Sequence, residues 1–259
     1  MKIYIFSKRK IAIVLIAIVL ILGIIILINT SYNPFAKAIS TISSPKKLPI
    51  YSVETDEKKI AISFDAAWGD QFTDDILDTL DDYDVKTTFF LVGFWVDKYP
   101  DMVKKIHDRG HEIGNHSTTH PHMSELSREE IIEEIKTTEK KIEDITGVRI
   151  NLFRPPFGDY NNQSIEVLEE LGYHTIQWDV DSLDWKELGA HPVVDRVTRN
   201  IKKGSIVLFH NNAKYVSEYL PLVLEKLKEQ NYEIVPISEL IIKEDYTIDS
   251  SGRQHRAAN

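Results

Sequence analysis

The longest apolar run in the chain, Ile11–Ile28, has no polar side chain at any of its 18 positions. After it, short apolar runs alternate with charged stretches of helical spacing. At ~1.5 Å rise per residue the run is just long enough to cross a bilayer core of ~30 Å. Lys2, Lys8, Arg9 and Lys10 precede it, which by the positive-inside rule puts the N-terminus in the cytoplasm. A buried core helix is the alternative, but such a helix rarely lacks a polar face. An A-x-A-like triplet, Ala36-Lys37-Ala38, resembles a signal cleavage site but lies well beyond the run. The expectation is therefore one uncleaved transmembrane helix. It makes this a single-pass protein of the cell membrane with everything after it extracytoplasmic, or a secreted one if the segment is cleaved. Residues 1–10 read as a cytoplasmic basic segment, 11–28 as the anchor and 29–57 as a Ser/Thr/Pro/Lys-rich linker. Residues 58–242 read as the globular domain and 243–259 as a frayed polar tail.

Within 58–242 the pattern switches repeatedly between strand-like and helix-like runs. Ile60–Asp65, Thr87–Val92, His111–Gly114, Ile150–Phe153, His174–Val180, Ser205–Phe209 and Tyr232–Val235 read as strands. Phe72–Tyr83, Asp101–Arg109, Ser127–Ile145, Ser164–Leu171, Pro192–Ile201, Tyr215–Gln230 and Ser238–Ile242 read as helices. Ser127 and Glu130 form an S-x-x-E capping box, and Gly147 stops the helix behind it. Alternating units whose strands are apolar on both faces imply a parallel α/β sheet. About seven units suit a distorted (β/α) barrel. A doubly wound open sheet is the rival, but no GxGxxG or P-loop supports it.

Composition narrows the function classes. The net charge of −9 argues against a nucleic-acid partner, which needs a basic face. With no cysteine there is no disulfide scaffold and no thiolate ligand, so any metal must use His, Asp or Glu. Gly110–His122 holds four of the nine histidines, and His116 and His120 lie four apart. On one helical turn that spacing sets two imidazoles on one side, where they can grip one divalent metal. The alternative is a polar loop whose histidines only hydrogen-bond.

In a (β/α) barrel, chemistry gathers at the C-terminal ends of strands. The predicted strand ends deliver Asp65, the His116/His120 loop, Arg154-Pro155-Pro156-Phe157-Gly158, Asp184-Trp185 and Leu208-Phe209-His210 to one rim. Taken singly, Asp65 could cap a helix, Arg154 form a surface ion pair, Trp185 sit in the core and His210 be a satisfied buried histidine. Together they fit metal-assisted hydrolysis of an acyl group. Asp65 acts as base and His210 as acid. Arg154 keeps Asp65 ionised and Asp184 favours protonated His210. Trp185 offers an apolar wall.

These five motifs, in this order, resemble the polysaccharide deacetylase family, the NodB-homology domain of carbohydrate esterase family four. The resemblance covers about Lys58–Ile242. It implies a distorted (β/α) barrel and removal of acetyl groups from N-acetylglucosamine-type residues of cell-wall polysaccharide, with Zn²⁺ or else Co²⁺ or Mn²⁺. It implies Asp65, His210, Arg154 and Asp184 as catalytic residues, His116 and His120 as metal ligands, and Trp185, Leu208, Pro155 and Phe157 as substrate contacts. One departure stands out. The family's first motif ends in two aspartates, the second of which binds the metal; here Asp65 is followed by Ala66. Asp70, on the same loop, is the candidate substitute. The resulting expectation is a membrane-anchored peptidoglycan deacetylase. A glycan-binding pseudoenzyme and an O-acetyl polysaccharide esterase are the alternatives.

Overall fold

The computed structural model describes residues 18–20 and 45–257. Its centre is β2 (Lys59–Ala66), every residue of which is buried except the first. Parallel strands flank it on both sides, β3 (Thr88–Leu91) and β8 (Ile206–His210). With β4 (Glu112–Asn115), β5 (Leu152–Phe153), β6 (His174–Thr175) and β7 (Val180–Asp181), the order is β6-β5-β4-β3-β2-β8-β7, and β9 (Glu233–Ile234) adds to the start of β2. β6 and β7 stand at opposite ends of this order, yet only residues 176–179 join them. Five residue steps reach at most about 18 Å. The sheet must therefore curl until its edges approach each other, which gives an incomplete parallel barrel.

Alternation along β2 sorts its side chains between two cores. Ile60, Ile62, Phe64 and Ala66 join the larger cluster with residues of the surrounding helices, such as Leu77, Ile135 and Leu220. Ala61 joins a smaller cluster with Phe90, Leu152, Ile176 and Ile206, inside the curl. Asp65 shares the parity of Ala61 and so faces the interior. The first crossover helix is α1 (Thr73–Asp82); α2 (Gly93–Lys98) and α3 (Pro100–Asp108) follow β3. The long helix α4 (Arg128–Thr146) starts with the predicted capping box, Glu130 N–H donating to Ser127 Oγ and Ser127 N–H to Glu130 Oε2. A cap of this kind contributes roughly 0.5–2 kcal/mol.

The structure departs from the sequence pattern in four places. Gly93–Lys98 is an extra helix, too short to show a period. His174–Val180 is two strands with a break, because the Asp179 carboxylate turns aside to accept from Ser205 Oγ and Ile206 N–H. The linker assignment runs too far, since Ile50 and Val53 are buried and β1 (Ser52–Val53) pairs with β11 (Arg253–Arg256). The tail is ordered as a hairpin of β10 (Tyr246–Ile248) and β11. Its polarity hid this. The pairing is made by the backbone, and buried Gln254 uses its amide to bond both backbone groups of Ile242. The predicted anchor lies outside the described residues except for 18–20. Among the described residues no helix is long and apolar enough to cross a membrane.

Candidate active site

Asp65 and His210 are register partners on β2 and β8. Parallel neighbours in register point the same way, so both side chains reach a cavity of about 520 Å³ at the C-terminal end of the sheet. Each is held by its own buried partner. Asp65 Oδ1 accepts from Arg154 Nη1 at 2.8 Å, and Arg154 is fully buried. Burial, the largest single influence, would raise the Asp65 pKa, but the charge and hydrogen bond of Arg154 together with the charges of His116 and His210 outweigh it and hold the carboxyl below its usual range. Arg154 is fixed in turn by the Gln177 carbonyl and by Phe90, whose ring lies 4.2 Å from the guanidinium carbon.

His210 Nδ1–H donates to Asp184 Oδ1 at 2.7 Å. The same carboxylate accepts from the backbone N–H groups of Trp185 and His210 and from Tyr219 O–H at 2.7 Å. Burial works against the charged imidazolium, but the hydrogen bond and charge of Asp184 win, with Asp65 and Asp181 adding, so the His210 pKa is raised. Nδ1 is thus committed to Asp184, which leaves Nε2 as the nitrogen for substrate chemistry.

His116 and His120 come together, but not on a helical turn. Ser117 and His120 both adopt positive φ, 67° and 61°. The loop folds back on itself and the ring centroids lie 5.0 Å apart. Asn115 and α4 set this shape. Asn115 Oδ1 accepts from Ser117 N–H, and Glu134 accepts from Thr118 N–H, Thr119 N–H and Thr119 Oγ1. His116 Nδ1–H donates to the Arg154 carbonyl at 2.7 Å, which leaves Nε2 with its lone pair, 3.4 Å from Asp65 Oδ2. Burial keeps both imidazoles neutral, the ligating form. The His116 pKa is lowered, and that of His120 falls to about 4 with the proximity of His116 adding. The buried Nδ1 of His120 has no hydrogen-bond partner.

Two neutral imidazoles fit a divalent ion. The third protein ligand expected at a catalytic zinc is missing. Among the described residues no group of three His, Asp or Glu side chains is arranged to hold a metal. Ala66 is buried in the outer core, while Ala67 lines the cavity. Asp70 does not join the site. It is absent from the cavity lining, and its charge acts on Lys98 instead.

Of the expected substrate contacts, Trp185, Leu208 and Phe157 line the cavity, whereas Pro155 is buried and does not. The sequence reading missed Trp68, Trp178, Asp181 and Asn212 on the same lining, and Tyr219 behind Asp184. Trp68 had a signal, since it stands in the divergent first motif. Tyr219 had none, because it falls on the apolar stripe of the helix Val216–Glu229, where an aromatic reads as core.

The polysaccharide deacetylase family model matches residues 52–176. The peptidoglycan-N-acetylglucosamine deacetylase PgdA of Listeria monocytogenes is 39% identical over 197 residues, 76% of this chain and 42% of that protein. The chain therefore spans less than half the length of that relative. A peptidoglycan-N-acetylglucosamine deacetylase of Bacillus cereus is 37% identical over 196 residues, 74% of this chain and 92% of that protein. The solved structure of wild-type BA3943 from Bacillus anthracis, described as a CE4 family pseudoenzyme, has a TM-score of 0.73 at 37% identity, covering 75% of this chain and 69% of that one. A BA3943 mutant described as having restored enzymatic activity gives 0.73 at 38%, covering 75% and 71%. Nearly the whole length of the Bacillus cereus relative is matched at that identity, and the same curled sheet carries the site, so the chain belongs to the polysaccharide deacetylase family.

Proposed function

We propose that this protein removes acetyl groups from N-acetylglucosamine-type residues of peptidoglycan. The observation that carries the reading is the pair of buttressed groups on adjacent strands, Asp65 with Arg154 and His210 with Asp184, facing one cavity. Ionised Asp65 takes a proton from the water that attacks the acetamide carbonyl. Protonated His210 donates to the sugar nitrogen as the C–N bond breaks, giving acetate and a free amine. Trp185 and Leu208 supply an apolar wall for the acetyl methyl. His116 and His120 would hold a divalent ion, Zn²⁺ first and Co²⁺ or Mn²⁺ otherwise. When bound, such an ion polarises the carbonyl and lowers the pKa of water. The basic cluster and apolar run of residues 1–28 support a tether that sets the domain outside the cytoplasm, next to its polymer.

The missing third ligand and the likeness to BA3943 favour a second reading, a pseudoenzyme that binds the glycan without cleaving it. Acetate release by the full chain separates the two. The substrates are N-acetylglucosamine oligomers and purified wall glycan, with chelator and then with each metal restored. Metal-dependent release is the expected result. Saturable glycan binding without acetate under any metal would establish the second reading.

A further inference from the structure

Among the described residues, several large apolar side chains are exposed around this one cavity. Trp68 is 56% exposed, Phe94 38%, Phe157 61% and Trp185 56%. Trp185 and Phe157 fall in the deacetylase motifs. Trp68 stands in the divergent first motif, where the resemblance implies no substrate contact, and it is built in with care. It follows Ala67 on the loop that leaves β2, and the next residue, Gly69, turns that loop at φ 63°. The Gly69 carbonyl accepts two hydrogen bonds, from Trp95 Nε1 at 2.7 Å and from Asn211 Nδ2 at 2.8 Å. Both donors are buried, and Asn211 N–H also holds the Asp65 carbonyl. One network thus fixes the catalytic strand end and the loop that carries Trp68. The indole stands edge-on to His120 at 5.1 Å and lies 6.4 Å from the Phe94 ring.

An exposed indole on a fixed loop is poor economy unless something covers it. It is not spare core, since more than half of it meets solvent. We infer that Trp68, extended by Phe94, is a stacking platform for a sugar next to the one being deacetylated, so that the site recognises a run of the polymer and not a single residue. A pyranose ring presents an apolar C–H face to an aromatic plane and hydroxyls at its edge, which suits a ring that is apolar on its face and solvated around it. Trp68 lies three residues after Asp65 and touches His120, so a sugar on it is contiguous with one at the acid–base pair. The inference rests on the glycan reading above but not on hydrolysis.

Its test is binding by the full chain, measured by calorimetry with N-acetylglucosamine and with its dimer and tetramer. The wild type should bind more tightly as the chain lengthens. Trp68→Ala should weaken tetramer binding about tenfold, about 1.4 kcal/mol, and leave the monosaccharide unchanged. Trp68→Phe should restore most of the loss. An equal loss for every length would mean a structural role, and no loss for the tetramer, or no tetramer binding by the wild type, would also overturn the inference. Length-dependent binding through Trp68 without acetate release would sink the deacetylase reading and leave this one standing.

Discussion

The two halves of the cavity are built to different standards. On the acid–base side, buried Asp184 accepts four hydrogen bonds, and Asp65 is ion-paired to a fully buried arginine. Buried charges are costly unless paired and bonded, and here both carboxylates are, although Arg154 Nε is buried without a partner. On the metal side the two imidazoles are well placed, but His120 Nδ1 is buried without a partner and a methyl group stands where the family has a carboxylate. The apparatus for moving protons is over-determined, whereas the apparatus for holding an ion is one ligand short. This pattern is odd for a site that has only to bind sugar. A glycan-binding wall needs aromatics and hydroxyl partners, not a carboxyl whose pKa is held down and a histidine whose pKa is held up.

The sharpest test of the contrast is therefore the acid–base half. His210→Ala, and separately Asp65→Asn, should each lower acetate release about 10²–10⁴-fold with the far-ultraviolet dichroism unchanged. Full release by either variant would remove the mechanism. Next in size is the cost of breaking one buried pair. Arg154→Met leaves Asp65 uncompensated and should lose about 3–5 kcal/mol in urea unfolding. Adding Asp65→Leu to Arg154→Met should recover most of that loss, since replacing both partners by apolar groups can be nearly neutral. Recovery would show that the pair is kept for chemistry and not for stability.

The metal half predicts a gain. If one carboxylate is all that separates the two halves, Ala67→Asp, which sets the carboxylate on the cavity lining beside His116 and His120, should tighten Zn²⁺ binding at least about 10–100-fold by calorimetry, the scale on which even outer partners of a metal site act. An unchanged isotherm would place the deficit elsewhere; Ala66→Asp, whose side chain faces the outer core, is the control that should not tighten binding.

Much of this was legible in the chain. The two-sided apolar runs gave the parallel sheet, and the strand ends gave Asp65, the His116/His120 loop, Arg154, Asp184 and His210, which the fold brings together. What stayed hidden depended on contacts far apart in sequence or on backbone shape. The i, i+4 spacing of the histidines suggested a helical turn, but Ser117 and His120 reach the same proximity through left-handed residues. Asp70 looked available because it shares a loop with Asp65, but it is absent from the lining of the cavity that Asp65 enters. The tail looked frayed because a solvent-facing hairpin carries no apolar period.

The smallest expected effect is also the most specific. On the proposed mechanism His210 must be protonated to act, so activity should fall as pH rises through its pKa, which Asp184 holds above the ordinary histidine value. Asp184→Asn removes the charge that favours the imidazolium, so the basic limb of the kcat/KM profile should move to lower pH. Tyr219→Phe should move it slightly the other way, because the lost O–H donor leaves more of the Asp184 charge to act on His210. Shifts of opposite sign are hard to obtain from loosened packing, which lowers rates without choosing a direction along the pH axis. Two limbs that moved together, or not at all, would mean that Asp184 orients His210 without setting its charge.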